Sequence, residues 1–253
     1  MSILETTPLD QQASSPAKAM QGSTYVLIPG AWHGAWCWRP VARRLRAVNH
    51  RAITLTLPGL GDGDDPSGYK LRDAVHYVVN EVRRRELDNV ILVAHSWGGY
   101  PATGAAHLLV GQVTKIVYYN AFVPVRGRSL VDETPHTREL MLRLIDGSPF
   151  GAIAPSLEYV EQLLMQGVAP ELQRLVADLM TPQPGGYFLG GLDIDAASLG
   201  LPTAYVASDS DCALPQPGPE FAARLGVQPV VVPGTHNGML THPDEVAKAI
   251  LAA

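Results

Sequence analysis

Residues 90–99 read Val90-Ile91-Leu92-Val93-Ala94-His95-Ser96-Trp97-Gly98-Gly99, an apolar run that ends abruptly in one hydroxyl among small residues. An uninterrupted apolar run of this length is the pattern of a strand buried on both faces of a sheet. The small residues around the serine suit a sharp strand-to-helix elbow, where backbone passes close to backbone and the hydroxyl stands at the sheet edge. Gly98 fills the second small position of the G-x-S-x-G pattern, and Ala94 replaces the first glycine at the cost of one methyl. Ser96 is thus a candidate nucleophile for acyl transfer. An ordinary strand followed by a serine helix cap would read the same locally, so the decision falls to the rest of the chain.

Working outward, apolar strand runs at Tyr25–Ile28, Ala52–Leu57 and Ile116–Ala121 flank the central one, and two more follow late, at 203–207 and 228–233. Helical patterns alternate with them at about 38–48, 70–87, 97–109, 217–224 and 243–252. In the second of these, Leu71, Val75, Val78, Val79 and Val82 recur at spacings of three and four. This alternation predicts an α/β fold with a mostly parallel sheet covered by helices on both faces. From 125 to 200 the rhythm breaks into helical patterns at 136–146, 156–166 and 170–180. Such a length is too great for a plain loop in a compact domain, and a helical cap inserted over the sheet is expected. The organisation expected is a flexible Ser-, Gln- and Pro-containing leader over 1–22, a core formed by 23–124 and 201–253, and the cap between them.

With 46% hydrophobic and 17% charged residues in 253, the chain has material for one large core. A net charge of −5 without a basic cluster argues against nucleic acid as a partner. The one basic run, Arg83-Arg84-Arg85, closes a predicted helix, where it complements the dipole as a solvated end. Cys37 and Cys212 have neither disulfide-framework nor metal-ligand spacing. No stretch has the length and apolarity of a signal peptide or membrane span. A cytoplasmic monomer or homodimer acting on a small molecule, with no membrane partner, no metal and no cofactor, is the expectation.

A serine hydroxyl needs a positioned base. Among eight histidines, His236 alone lies just beyond a late apolar strand, between Gly234 and Gly238, on the edge where open α/β sheets gather their catalytic groups. His95 is expected to point away from Ser96 because successive strand side chains alternate, and His33 suits either the pocket or its loop. The acid that orients the base should follow the strand at 203–207, where Asp209 and Asp211 both qualify, whereas Asp193 and Asp195 precede that strand. The chain order is then Ser, Asp, His. Oxyanion donors are expected from the backbone N–H of Trp97 and of Ala31, the latter in Pro29-Gly30-Ala31-Trp32-His33-Gly34. These glycines are spaced wrongly for a dinucleotide fingerprint. Gly30, Trp32, Phe122 and Met239 are the candidate substrate-binding residues. Met141, Phe150 and Tyr159 of the cap suggest an apolar or aromatic acyl group.

The chain resembles the α/β-hydrolase superfamily, most closely the branch with plant methylesterases, hydroxynitrile lyases and small bacterial esterases. The resemblance rests on Gly30-Ala31-Trp32-His33-Gly34-Ala35-Trp36-Cys37-Trp38, Pro58-Gly59-Leu60-Gly61, His95-Ser96-Trp97-Gly98-Gly99, Asn120-Ala121-Phe122-Val123-Pro124, Thr181-Pro182-Gln183-Pro184, Asp211 with Pro215, and His236. It implies an α/β-hydrolase fold, Asp211 as the acid, Ala31 and Trp97 as oxyanion donors, and serine hydrolysis of a small carboxylic ester, lactone or thioester. Pro29-Gly30 departs from the usual His-Gly, which predicts a differently set oxyanion loop. Hydroxynitrile lyases carry lysine after the catalytic histidine and threonine two positions before the loop tryptophan; here Asn237 and Gly30 stand instead, which disfavours cyanide release. A cofactor-free cyclase, lyase or dioxygenase using the same residues as a base, and a ligand receptor on the same fold, are the alternatives.

Overall fold

The computed structural model describes residues 22–253, so the expected leader lies, except for its last residue, outside the described residues. Six parallel strands form the sheet: β1 Thr24–Ile28, β2 Arg51–Thr54, β3 Val90–His95, β4 Val113–Tyr119, β7 Thr203–Ser208 and β8 Val230–Val232. Between the fourth and fifth of these, β5 Ala152–Ile153 and β6 Gln183–Pro184 pair as a separate two-residue ribbon. The sheet order is β2-β1-β3-β4-β7-β8. β1 therefore lies between β2 and β3, and the loops leaving β1 and β3 diverge at a switch point, the crevice where ligands of open α/β sheets bind.

The strand sequences dictate two faces. Val26 and Ile28, Leu92 and Ala94, Ile116 and Tyr118, Tyr205 and Ala207 enter one core. The alternate residues Tyr25, Leu27, Val93, Val117, Tyr119 and Val206 enter the other. This is the period of two that a doubly covered strand requires. Helices α1 (Arg39–Ala47) and α10 (Pro243–Ala252) supply the second core, with the short α9 (Gly238–Thr241) beside them. Helices α2 (Leu71–Arg84), α3 (Gly99–Leu108) and α8 (Gly218–Ala223) supply the first. Burial of one such aliphatic side chain contributes roughly 1.5–3 kcal/mol, so the sum over these faces outweighs any local propensity.

Two strands are shorter than the apolar runs suggest. β2 stops at Thr54 because it is an edge strand, and only Leu55 makes one further backbone bond, to the Leu27 carbonyl at 3.1 Å. β8 is bounded by Pro229 and Pro233, neither of which has an N–H to add to the ladder. The Arg83-Arg84-Arg85 end differs from a merely solvated one: Arg84 and Arg85 both pair with Glu81, at 2.7 and 2.8 Å.

The 125–200 segment carries α4 (Pro135–Asp146), α5 (Leu157–Tyr159), α6 (Pro170–Leu179) and α7 (Gly186–Leu189). α5 runs into a π turn over Val160–Leu164, closed by a bond from Met165 N–H to the Val160 carbonyl. Val160, Leu164, Met165, Val176 and Met180 form a third apolar cluster against Trp32 and Trp36. The segment is tied to the sheet layer by Glu133, whose side chain is 1% exposed and accepts two bonds from Arg224, at 3.0 and 2.8 Å, and one from the Tyr100 hydroxyl. Arg224→Ala strands that carboxylate in the interior and is expected to destabilise the fold by about 3 kcal/mol, read as a lower urea midpoint. The paired Arg224→Met/Glu133→Leu protein, with no orphaned charge, should lose less. Among the described residues no helix is long and apolar enough to cross a membrane.

Candidate active site

Ser96 sits at the turn between β3 and α3 with φ +52°, a left-handed conformation that a side chain bears only under external constraint. The constraint is the loop leaving β4. Ser96 N–H donates to the Asn120 carbonyl and the Ser96 carbonyl accepts from Phe122 N–H, both at 3.1 Å. Gly99 lets this happen, since a Cβ there would overlap the Phe122 carbonyl oxygen. On the other side the β1 loop lies directly against the elbow: a Cβ on Gly30 would come within 2.8 Å of both Ser96 Cβ and His95 Nδ1.

His236 and Asp211 come together across the β7 and β8 exits. His236 Nδ1–H donates to the Asp211 carboxylate, 3.0 Å from each oxygen, in a site where the two side chains are 3% and 10% exposed. That bond leaves His236 Nε2 with its lone pair. The other candidate acid, Asp209, is exposed and bonded elsewhere, accepting Gly234 N–H at 3.2 Å and the Ser210 hydroxyl at 2.9 Å. Ser96 and His236 line one cavity of about 370 Å³ together with Ala31 and Trp97. No hydrogen bond joins Ser96 to His236 among the described residues; catalytic bonds of this kind often close only around substrate.

Ala31 and Trp97 both line this cavity, and neither backbone N–H has a backbone or side-chain acceptor among the described hydrogen bonds. For Trp97 this follows from its place in the first turn after the elbow, where helix amides lack an internal partner. Two unspent donors beside a serine are what a developing oxyanion requires.

Much of the remaining lining is apolar or aromatic, with Trp32, Phe122, Met141, Tyr159, Leu163 and Phe188 among it. Thr134, His136 and Thr137 form a polar margin, and no lysine or arginine lines the cavity. Gly30 and Met239 are not among the lining residues. Gly30 is packed against the elbow, and Met239, fully buried, turns into the core shared by α1 and α10 because its short helix lays that face on the sheet. Phe150 is 60% exposed and also contributes nothing to the wall. Asn237 points away from the cavity, its amide donating to His33 Nε2 at 3.1 Å, so neither charge nor side chain of that position reaches a substrate.

Several supports lie outside the candidate site residues read from the sequence. Asn120, with φ +42°, sends its amide N–H groups to Ser208 Oγ at 2.9 Å and to the His236 carbonyl at 3.0 Å, while its own oxygen accepts Ser208 N–H at 2.7 Å. One side chain thereby joins the loops that carry Asp211 and His236. Its signal in sequence is faint: an asparagine at a strand end, a residue type that tolerates the left-handed region. His95 does point away from the cavity, and its Nε2–H donates to the His236 carbonyl at 3.1 Å. Leu164, in the π turn, accepts Asn237 N–H at 3.0 Å and braces the His236 loop from the other side. His33 is buried, with Nδ1–H donating to the Ala31 carbonyl at 2.6 Å.

A family model described as Alpha/beta hydrolase family matches residues 25–249. The carbendazim hydrolyzing esterase of Nocardioides sp. (strain SG-4G) is 32% identical over 246 residues, spanning 91% of this chain and 99% of that protein. Methylesterase 18 of Arabidopsis thaliana is 27% identical over 209 residues, 74% of this chain and 79% of its own. Among solved structures, an extracellular α/β-hydrolase from a Paenibacillus species superimposes with a TM-score of 0.86 at 25% identity, covering 91% of this chain and 98% of that one. It is described as sharing structural and functional homology with tobacco salicylic acid binding protein 2. The chain belongs to the alpha/beta hydrolase family. Like the esterases and methylesterases that it resembles, it is a carboxylic ester hydrolase.

Proposed function

We propose that the protein hydrolyses small, uncharged carboxylic esters with an apolar or aromatic acyl part, through an acyl-Ser96 intermediate. The observation that carries this reading is that His236, bonded to Asp211, lines the same largely apolar cavity as Ser96. His236 Nε2 takes the Ser96 proton as Oγ attacks the ester carbonyl. Asp211 holds the ring in the tautomer that leaves Nε2 free and stabilises the imidazolium. The N–H groups of Ala31 and Trp97 receive the oxyanion. His236 then returns the proton to the leaving alcohol, and on the second half-reaction it activates the water that releases the acid.

The uncharged character of the substrate follows from the lining. A carboxylate or ammonium group would lose its water among Trp32, Phe122, Tyr159 and Phe188 without a charged partner, and burial of an unpaired charge is strongly unfavourable. Methyl esters and carbendazim belong in the test panel because relatives bear these substrates in their names.

A fluorophosphonate probe should label the protein stoichiometrically at Ser96, abolish turnover of the preferred ester, and leave the Ser96→Ala protein unlabelled. Peptide mapping that finds the label elsewhere, or an ester turnover that survives complete labelling, would overturn the acyl-serine reading.

A further inference from the structure

Trp32 is held in a conformation that its own side chain disfavours. Its φ is +64°, and it immediately follows Ala31, whose N–H is one of the two oxyanion donors proposed above. Among the described residues, all three of its polar groups are satisfied by the 125–200 segment and by nothing else. Trp32 N–H donates to Gln183 Oε1 at 2.8 Å, the indole N–H donates to the Ile153 carbonyl at 2.9 Å, and the Trp32 carbonyl accepts from Thr181 N–H at 3.1 Å. Ile153 and Gln183 are paired directly across the β5–β6 ribbon, so two of these bonds come from one rigid unit.

Gln183 itself is fully buried, and its Nε2 has no partner among the described residues. An apolar side chain of the same length would fill that space without an orphaned donor. What only the amide supplies is the acceptor aimed at Trp32. The ribbon is fixed in turn: Thr181 Oγ donates to the Leu60 carbonyl at 3.1 Å and the Tyr187 hydroxyl to the Pro58 carbonyl at 2.7 Å. The segment that builds the acyl wall is therefore bonded three times to the residue next to the oxyanion donor, and Gln183 supplies the one bond that comes from a side chain. Such a bond is placed to hold the β1 loop, which begins with Pro29 and has no proline N–H of its own to anchor it.

We infer that Gln183 is a positioning residue for the reaction: its carboxamide, carried on the β5–β6 ribbon, locks Trp32 in the left-handed conformation that aims Ala31 N–H at the oxyanion. The inference rests on the acyl-serine reading. Without that acceptor the Trp32 peptide relaxes and the donor swings away from the transition state, while the apolar wall that binds the ground-state ester stays in place.

The test compares wild type with Gln183→Met, which keeps length and loses the acceptor, and Gln183→Glu, which keeps an oxygen for Trp32 N–H. Turnover of p-nitrophenyl butyrate is measured with inhibition by trifluoroacetophenone, which adds to serine as an oxyanion, and by acetophenone, which does not. Gln183→Met should lower kcat by about 10- to 100-fold with KM nearly unchanged, as expected when a small misplacement reaches a reacting centre. Its affinity for trifluoroacetophenone should fall in parallel, acetophenone inhibition should stay as in wild type, and Gln183→Glu should restore most of the loss. If Gln183→Met shows no cooperative unfolding, Gln183→Asn, too short to reach Trp32, takes its place with the same expectations. Unchanged kcat, or a loss confined to KM or shared equally by both ketones, would overturn the inference. Full activity of Ser96→Ala in the same assay would instead remove the acyl-serine reading beneath it, so the two failures are distinct.

Discussion

Asp211→Asn should lower kcat by about four orders of magnitude, the loss expected when an imidazole is held in the wrong tautomer. Asp209→Asn, two residues away, should change kcat by less than about threefold, as for surface substitutions that remove no special contact. The contrast follows from what each carboxylate touches. Both Asp211 oxygens lie 3.0 Å from His236 Nδ1 in a nearly buried site, and an asparagine there can turn its NH₂ group to that nitrogen. Nδ1 would then become the acceptor and Nε2 would carry the proton, leaving no lone pair for the Ser96 hydroxyl. Asp209 is exposed, and its oxygen accepts from Gly234 N–H and the Ser210 hydroxyl, bonds that an asparagine oxygen reproduces. Steady-state kinetics on both variants with one activated ester decides the matter. Equal losses in the two, or a loss of tenfold or less in Asp211→Asn, would remove Asp211 from the acid role.

The α/β architecture is legible wherever burial is one-dimensional. Runs such as Val90–Ala94 can satisfy both faces only inside a covered sheet, and the three- and four-residue spacing of Leu71, Val75, Val78 and Val82 requires a helix over it. The same logic brings Ser96, the Asp209/Asp211 pair and His236 to one edge, because each follows the carboxyl end of a parallel strand. Side-chain direction beyond those ends is not legible. Met239 and Phe150 lie near catalytic or cap segments in sequence, yet one faces the α1/α10 core and the other solvent. Which way a residue on a one-turn helix or loop faces depends on the neighbour that packs against it. The supports of the site are less legible still. Gln183 meets Trp32 across 151 residues and Asn120 meets His236 across 116, and no local period marks such a pairing. The family resemblance marks the Asn120–Pro124 and Thr181–Pro184 stretches that hold them, but not what either side chain touches.

The buried histidines beneath the site should make the fold acid-labile at pH values above those where its depressed carboxylates lose their contribution. His33 is locked as a neutral ring: Nδ1–H donates to the Ala31 carbonyl, and Nε2 accepts from the Asn237 amide. Burial, with a smaller repulsion from His236, pulls its pKa down to about 4, against the opposing bond to Ala31. His95 is likewise neutral, with Nε2–H on the His236 carbonyl and Nδ1 buried without a partner. Burial first, then the charges that His236 and His33 would carry, hold it well below the usual histidine range. In the unfolded chain both rings take up protons near pH 6.5, so the unfolded state binds more protons than the native one below that value. The stability due to neutral burial is therefore fully present above about pH 6.5 and is lost as the pH falls toward 4. For His33 alone the linkage gives a loss of about 2 kcal/mol by about pH 5 and about 3 kcal/mol near pH 4, and His95 adds in the same direction. The depressed carboxylates, Asp132 among them, lose their contribution only at and below the ordinary aspartate range, so they do not account for a decline between pH 6.5 and 5. Urea unfolding at several pH values across this window should show stability falling steadily below pH 6.5, with a shallower slope in His33→Asn. A flat profile from pH 7 to 5 in wild type would mean that the histidines gain protons without unfolding, and that the hydrogen-bonded network under His236 accommodates the charge.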